Sequence, residues 1–206
     1  MGPKNSLDYE KQYWNDYPII AGCDEVGRGC CAGPLVTCAV IFPTNYHNPL
    51  IKDSKQLSSK QREYIYKIIQ QDALHIAYEF ISAAEVDQLN PKRASQIGMR
   101  RCVEQLQTTT NINLIITDFE HINIDLPQIN IIKGDTQSIS VAAASIIAKV
   151  LRDRFMIDLA TKYPQYHFDK HKGYNTKIHL EAINKYGIIP NIHRISYKNI
   201  QSILNK

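Results

Sequence analysis

At 206 residues the chain is long enough to bury a core without help from disulfides or metal, and its 44% hydrophobic and 21% charged shares exclude a disordered, fibrous or membrane-spanning protein. A net charge of +4 tolerates a polyanionic partner without requiring one. The five cysteines, an odd number with no CxxC pair, exclude a disulfide framework and a zinc site of the usual spacing.

The opening MGPKNSLDYEKQYW lacks the apolar core of a secretion signal, and no run of ~18 apolar residues follows. A reducing compartment, the cytoplasm, is expected. PIIAGC (18–23) and LVTCAVIF (35–42) read as strands joined by the glycine-rich stretch CDEVGRGCCAGP (23–34). SSKQREYIYKIIQQ (58–71) places Tyr64, Ile65, Ile68 and Ile69 on one helical face, with Ser58 or Ser59 as cap. A strand over 73–82 precedes a short helix, AAEVDQLN, that ends before Pro91, and a second helix runs on through Cys102, Val103 and Leu106. LIITD (114–118) is a short buried strand, and INIIKGD (129–135) is another that ends in a turn. The longest signal is a helix over 138–163, apolar almost all round in its first half and so central. Beyond Pro164 the chain is richer in His, Lys, Tyr and Asn, with helices near 176–186 and at the end. One mixed α/β domain is predicted over 1–206, completed by a helical C-terminal segment from about 164.

CDEVGRGCCAGP admits three readings. As a dinucleotide fingerprint it lacks the helix that must follow the glycines; Pro34 and a β-branched run follow instead, and two acids would repel a pyrophosphate. As a hairpin turn, it would carry two solvated acids. Asp24, however, follows an apolar strand of the kind found mid-sheet, where a carboxylate needs a partner, and a cation is the natural one. Asp118, ending LIITD, and Asp153, on the long helix, pose the same question. Together Asp24, Glu25, Asp118 and Asp153 suggest four acids at the ends of central elements. Like charges ~4 Å apart repel by ~4 kcal/mol at an effective dielectric near 20. Such a cluster calls for divalent metal, and all-oxygen ligation points to Mg²⁺ or Mn²⁺.

In the order and spacing of AGCDEVGRGCCAGPLV, DSKQLSSKQRE, VDQLN, IITD, KGDTQSISVAAASIIAKVLRD and YPQYHFDKHKGYNTKIHLEAINKYGIIPNIHRISY, the chain resembles the ribonuclease HII family in its bacterial single-chain form, from about Ile20 to Tyr197. The sister type, ribonuclease HIII, usually has an extra N-terminal domain and a lysine where Arg28 stands. The resemblance implies a ribonuclease H-like sheet flanked by helices and a helical C-terminal segment completing a substrate groove. It implies endonucleolytic cleavage of RNA paired with DNA, including a single ribonucleotide embedded in duplex DNA, with 5′-phosphate and 3′-hydroxyl products. Asp24, Glu25, Asp118 and Asp153 fall on the family's catalytic, metal-binding positions. Gly27, Arg28 and Gly29 match the turn that reads the 2′-hydroxyl. Tyr174 matches the tyrosine that packs on the sugar beside the ribonucleotide. Three departures stand out: Phe119–Glu120–His121 where glycine commonly follows the aspartate, Cys30–Cys31 for proline–leucine, and Pro91 inside a segment that is normally continuous.

Two divalent ions would be expected during turnover, with Asp24 the best candidate to bridge them. Because alternation sends Asp24 and Glu25 to opposite faces of an ideal strand, the strand is expected to end or twist there. Lys52, Lys55, Lys133, Lys149, Lys170, His171, Lys172 and Arg194 are candidate phosphate contacts. Lys149, four residues before Asp153, also shares its helical face and can pair with it. Ser54, Ser138 and Ser145 are candidates for the groove, and Tyr174 could equally be a core tyrosine. No zinc pattern joins His167, His171, His179 and His193. A junction-specific metal nuclease and a catalytically silent hybrid-binding module are the rival readings. A monomer that meets nucleic acid and no membrane is expected.

Overall fold

The computed structural model describes residues 8–205. Its five strands, β1 (Ile20–Val26), β2 (Leu35–Ile41), β3 (His75–Ile81), β4 (Leu114–Asp118) and β5 (Gln128–Ile131), form one sheet in the order β3-β2-β1-β4-β5. The first three pair antiparallel as a meander, while β4 runs parallel to β1 and β5 parallel to β4. Cys23 pairs with Thr117, so the next residues, Asp24 and Asp118, leave adjacent strands at the same end of the sheet.

The helices are α1 (Ser59–Asp72), α2 (Ala83–Leu89), α3 (Pro91–Gln107), α4 (Ile139–Lys162), α5 (Phe168–His171), α6 (Lys177–Tyr186) and α7 (Lys198–Leu204). Ser58 caps α1 through a reciprocal pair with Gln61. The buried face of α1 is Ile65, Tyr66 and Ile69. Tyr64, expected on that face, is 62% exposed, because the stripe is set one position later, with Tyr66 packed under the Arg154 guanidinium (4.6 Å from ring centre). Pro91 is the first residue of α3, where a missing N–H costs nothing, and Asn90 (φ +64°) caps the helix through Arg93 N–H. The departure at Pro91 therefore falls between two helices and removes no hydrogen bond.

Helices cover both sheet faces. One core joins Val36, Cys38 and Val40 of β2 to α1 and to the apolar half of α4. The other joins Ala21, Cys23, Ala39 and Ile115 to Met99, Cys102 and Val103 of α3. Gly22 lets α4 approach β1 closely, since a Cβ there would sit 2.4 Å from Ser140. Glu10 and Ser138 close the N-terminus of α4: the Glu10 carboxylate accepts from Ser140 N–H (2.9 Å) and from Ser138 Oγ (2.5 Å). Ser138 is thus a buried cap and does not line a groove, contrary to expectation.

A third core, of Cys31, Met156, Leu159, Tyr166, Phe168, Ile183 and Ile200, ties the C-terminal helices to the glycine-rich stretch. All five cysteines are free and buried. Inside this unit three histidines form a relay. His193 Nδ1 accepts from Ile189 N–H (2.8 Å) and its Nε2 faces His179 Nε2 at 3.2 Å, while His179 Nδ1 meets Tyr174 O at 2.9 Å. His171 stacks on His179 with ring centres 4.3 Å apart. Burial pushes His179 and His193 down to about 4. An imidazole that stays neutral when folded but charges when unfolded stabilises the protein above its unfolded value near 6.5, and that stability is lost as pH falls toward 4. The loss is on the order of 3 kcal/mol for each histidine. NMR titration of the imidazole carbon protons should find both rings still neutral at pH 5.5; midpoints near 6.5 would contradict the relay.

Candidate active site

The end of the sheet where β1 and β4 stop opens into a cleft of about 290 Å³. Asp24, Glu25 and Asp118 line it, with the turn Gly27–Gly29 on one side and Ser54 and Ser145 beneath. The strand does not end at Asp24, as expected, but runs on to Val26. Both acids still reach the cleft because they stand at the strand's last residues. Asp24 Oδ1 accepts from Glu25 N–H (2.7 Å), and Asp118 Oδ1 accepts from Gly134 N–H (2.8 Å).

Burial first, then Glu25 and Asp118, pushes the Asp24 carboxyl well above the usual range. Burial raises Glu25 to about 7 against the opposing pull of Arg28, and burial also raises Asp118. Three carboxylates that are each harder to ionise than normal, in a cleft with only oxygen donors between them, fit a hard divalent cation. Among the described residues no three of His, Cys, Asp or Glu close into a cage.

Four cations also line the cleft, and each is tied to an acid outside it. Lys55 pairs with Asp135 at 2.9 Å. Arg28 lies 2.8 Å from the buried Glu120 and 3.5 Å from Glu25. Lys149 pairs with Asp153 at 2.7 Å, as its spacing predicts, and Arg62 approaches the same carboxylate at 3.7 Å. Asp153 is thus held by two cations that themselves line the cleft.

Other expectations need correcting. Arg194 is fully buried, donating to Gly27 O (2.8 Å) and Gly33 O (2.9 Å), with Tyr197 OH and Arg28 O also in reach of Nη1. Buried, with its fork turned to backbone carbonyls, it presents no donor to a phosphate in the cleft. His171 is buried as well, its ring nitrogens meeting Tyr166 O (2.7 Å) and Gly173 N–H (3.1 Å). Lys172 is turned to Asp169 O, and neither it nor Lys52, Lys133 or Lys170 lines the cleft. Tyr174 does line it, 43% exposed, with Lys149 Nζ and Arg152 Cζ each 6.0 Å from its ring centre.

Sequence reasoning missed Arg62, Glu120 and Arg152. Arg152 is buried and donates to Pro34 O (2.9 Å), Lys172 O (2.8 Å) and Ala32 O (3.0 Å). With Arg194 it holds the loop 27–34 rigid from two sides. Gly27, at φ +98°, has Arg152 Nε where a Cβ would stand, so no other residue fits there. The signal for Arg152 was an arginine within a helix that is otherwise mostly buried. Phe119 occupies φ +64°, the left-handed region that glycine enters freely, and its side chain is exposed. The turn is held by Phe119 N–H to Ile131 O (2.9 Å) and by Thr117 Oγ1 to Glu120 O (2.7 Å), so the departure from glycine keeps the loop shape at a small conformational cost.

A carboxyl raised by folding stabilises the folded state below its unfolded value near 4.5, and that stability is lost as pH rises through about 7. For Glu25 this amounts to something on the order of 3 kcal/mol. Divalent metal should offset it, so the rise in melting temperature from EDTA to millimolar Mn²⁺ should be larger at pH 8 than at pH 6. Identical melting in EDTA and Mn²⁺ at pH 8 would contradict a shared cation site.

Residues 21–200 match the family Ribonuclease HII. The ribonuclease HII of Halalkalibacterium halodurans is 42% identical over 202 residues, covering 98% of this chain and 76% of that protein. Among solved structures, ribonuclease H2 from Pyrococcus horikoshii OT3 superposes with a TM-score of 0.75 at 25% identity, covering 91% of this chain and 97% of that one. Bst-RNase HIII, solved in complex with Mn²⁺, shares the fold with a TM-score of 0.66 at 18% identity, covering 91% of this chain and 69% of that one. The mixed sheet, the three acids at its open end and these matches agree: the chain belongs to the ribonuclease HII family of type II ribonuclease H endonucleases.

Proposed function

We propose that the cleft hydrolyses the RNA strand of RNA–DNA hybrids and also cuts at single ribonucleotides embedded in duplex DNA. The observation that carries this is the meeting, in one cleft, of Asp24, Glu25 and Asp118 with the turn Gly27–Gly29. Mg²⁺ or Mn²⁺, two ions in all, would be held there by Asp24, Glu25 and Asp118 and would supply the charge neutralisation and water activation that phosphodiester hydrolysis needs, to give 5′-phosphate and 3′-hydroxyl products. Asp153 would be a further acid for the ions, and Lys149 and Arg62, which it pairs with here, would be available to substrate phosphate.

The turn supplies the selectivity for RNA. Among the described residues the N–H groups of Arg28 and Gly29 donate to no protein acceptor, and nothing lies within 4 Å of where a Gly29 Cβ would stand. The strand can therefore approach to hydrogen-bond distance, and a 2′-hydroxyl oxygen finds donors there. Tyr174 packs its ring on the neighbouring deoxyribose. The chain acts as one domain and as a monomer; its place in the cytoplasm is supported by its five unpaired cysteines. No helix among the described residues is long and apolar enough to cross a membrane.

Cleavage assays with Mg²⁺, Mn²⁺ or EDTA, on an RNA–DNA hybrid and on a duplex with one ribonucleotide, test this directly. Metal-dependent cutting of both is expected, and a silent or junction-only enzyme would overturn the reading. Tyr174→Ala sharpens the test. An aromatic contact to nucleic acid contributes ~1–3 kcal/mol, and ~1.4 kcal/mol, near the low end, corresponds to about tenfold. That loss should appear on the single ribonucleotide and be smaller on the hybrid, which offers no preferred deoxyribose. Equal losses together with a lowered melting temperature would assign Tyr174 to the core.

A further inference from the structure

A second pocket, about 330 Å³ in volume, lies between the first half of α3 and the loop that follows β4. Arg93, Gln96, Ile97, Arg100, His121 and Asn123 line it, and no carboxylate does. Arg93 is exposed and its guanidinium has no partner among the described residues. Arg100 reaches Glu104 at 3.3 Å, one turn further along the helix and outside the pocket. The lining is thus three cationic or cation-capable groups, two amides and one aliphatic wall, which suits an anion rich in acceptor oxygens.

The pocket shares a wall with the active-site cleft. Gln96 Nε2 donates to Glu120 Oε2 at 3.3 Å, and Glu120 Oε1 lies 2.8 Å from Arg28, which faces the cleft. The two openings therefore stand either side of a single buried carboxylate. A duplex seated in the cleft carries phosphates at close, regular spacing along both strands. We propose that this pocket is a second phosphate subsite, gripping the backbone of the duplex on one flank of the cut. The proposal rests on the nucleic-acid reading of the cleft.

Binding in EDTA to a labelled duplex with one ribonucleotide, followed by fluorescence anisotropy from 50 to 200 mM salt, tests it. Arg93→Gln and His121→Gln touch neither the cleft nor the core. Each should weaken binding several-fold, and Arg93→Gln should lower the slope of log K against log salt by about 1. Arg93→Lys should restore that slope. With metal present, KM should rise while kcat at saturation stays unchanged, and trimming the duplex on one flank alone should erase the difference from wild type. Unchanged affinity and slope in both variants would overturn the subsite, as would a fall in kcat without a change in KM. Wild-type turnover on the same duplex separates the two readings. Cleavage with unaltered variant slopes sinks only the subsite. Binding that loses slope in the variants, by a wild type that cleaves nothing, sinks only the proposed activity.

Discussion

Replacing Asp24 by Asn should lower turnover by at least three orders of magnitude while leaving hybrid binding in place. The substitution keeps the shape of the side chain and its contact with Glu25 N–H but removes one charge from the centre of the acid group. Charge stabilisation by a bound cation is worth several kcal/mol, and each ~1.4 kcal/mol is a factor of ten in rate. None of the cations lining the cleft pairs with Asp24, so contacts to phosphate should survive. The same change should stabilise the metal-free protein. Asp24 is buried beside Glu25 and Asp118, and folding raises its carboxyl, so at neutral pH the ionised form works against the fold. Single-turnover cleavage, anisotropy and melting in EDTA read the three effects. Activity within tenfold of wild type would remove Asp24 from the centre of the mechanism, and a lower melting temperature in EDTA would contradict the electrostatic account.

Arg194→Ala should cost about 3–5 kcal/mol of stability and most of the activity, although Arg194 touches no substrate in this reading. It leaves the Gly27 and Gly33 carbonyls buried without their donor, at roughly 1–3 kcal/mol each, and opens a cavity beside Tyr197. For a chain of this size the melting temperature should fall by about 10 °C. Arg194→Lys separates a clamp from a phosphate contact. A lysine keeps the point charge but cannot reproduce the planar fork that reaches both carbonyls, so stability should remain low. Full recovery of stability and binding with lysine would return Arg194 to the phosphate contacts.

Much of this could be read from the residues. Alternation and the helical repeat located the strands and helices to within a few residues, and acids at the ends of apolar strands marked Asp24 and Asp118 correctly as members of one cleft. What failed was the direction in which basic side chains point. Arg194 and His171 looked like surface contacts, but polarity does not say whether a donor meets water or a carbonyl, and here the carbonyls are 161 and 167 residues away for Arg194 and five for His171. Asp153 shows the same limit: its spacing from Lys149 predicted the ion pair, yet nothing in the spacing revealed that Arg62, on another helix, would approach the same carboxylate. Tyr66 took the place of Tyr64 because a helix's phase is fixed by what it packs on, which one element's sequence does not contain.

The clamp on the glycine turn also has a consequence for synthesis. Arg194 and the Arg28 carbonyl it reaches are separated by 166 positions. At ~5–20 residues per second, the turn leaves the ribosome roughly ten to thirty seconds before the arginine that fixes it. The acids of β1, β4 and α4 are all made before that arginine. A nascent chain can therefore assemble its sheet while the glycine turn is still loose. On the proposed function, an enzyme that cuts RNA and is itself made on RNA would acquire its selectivity only after Arg194 has left the ribosome.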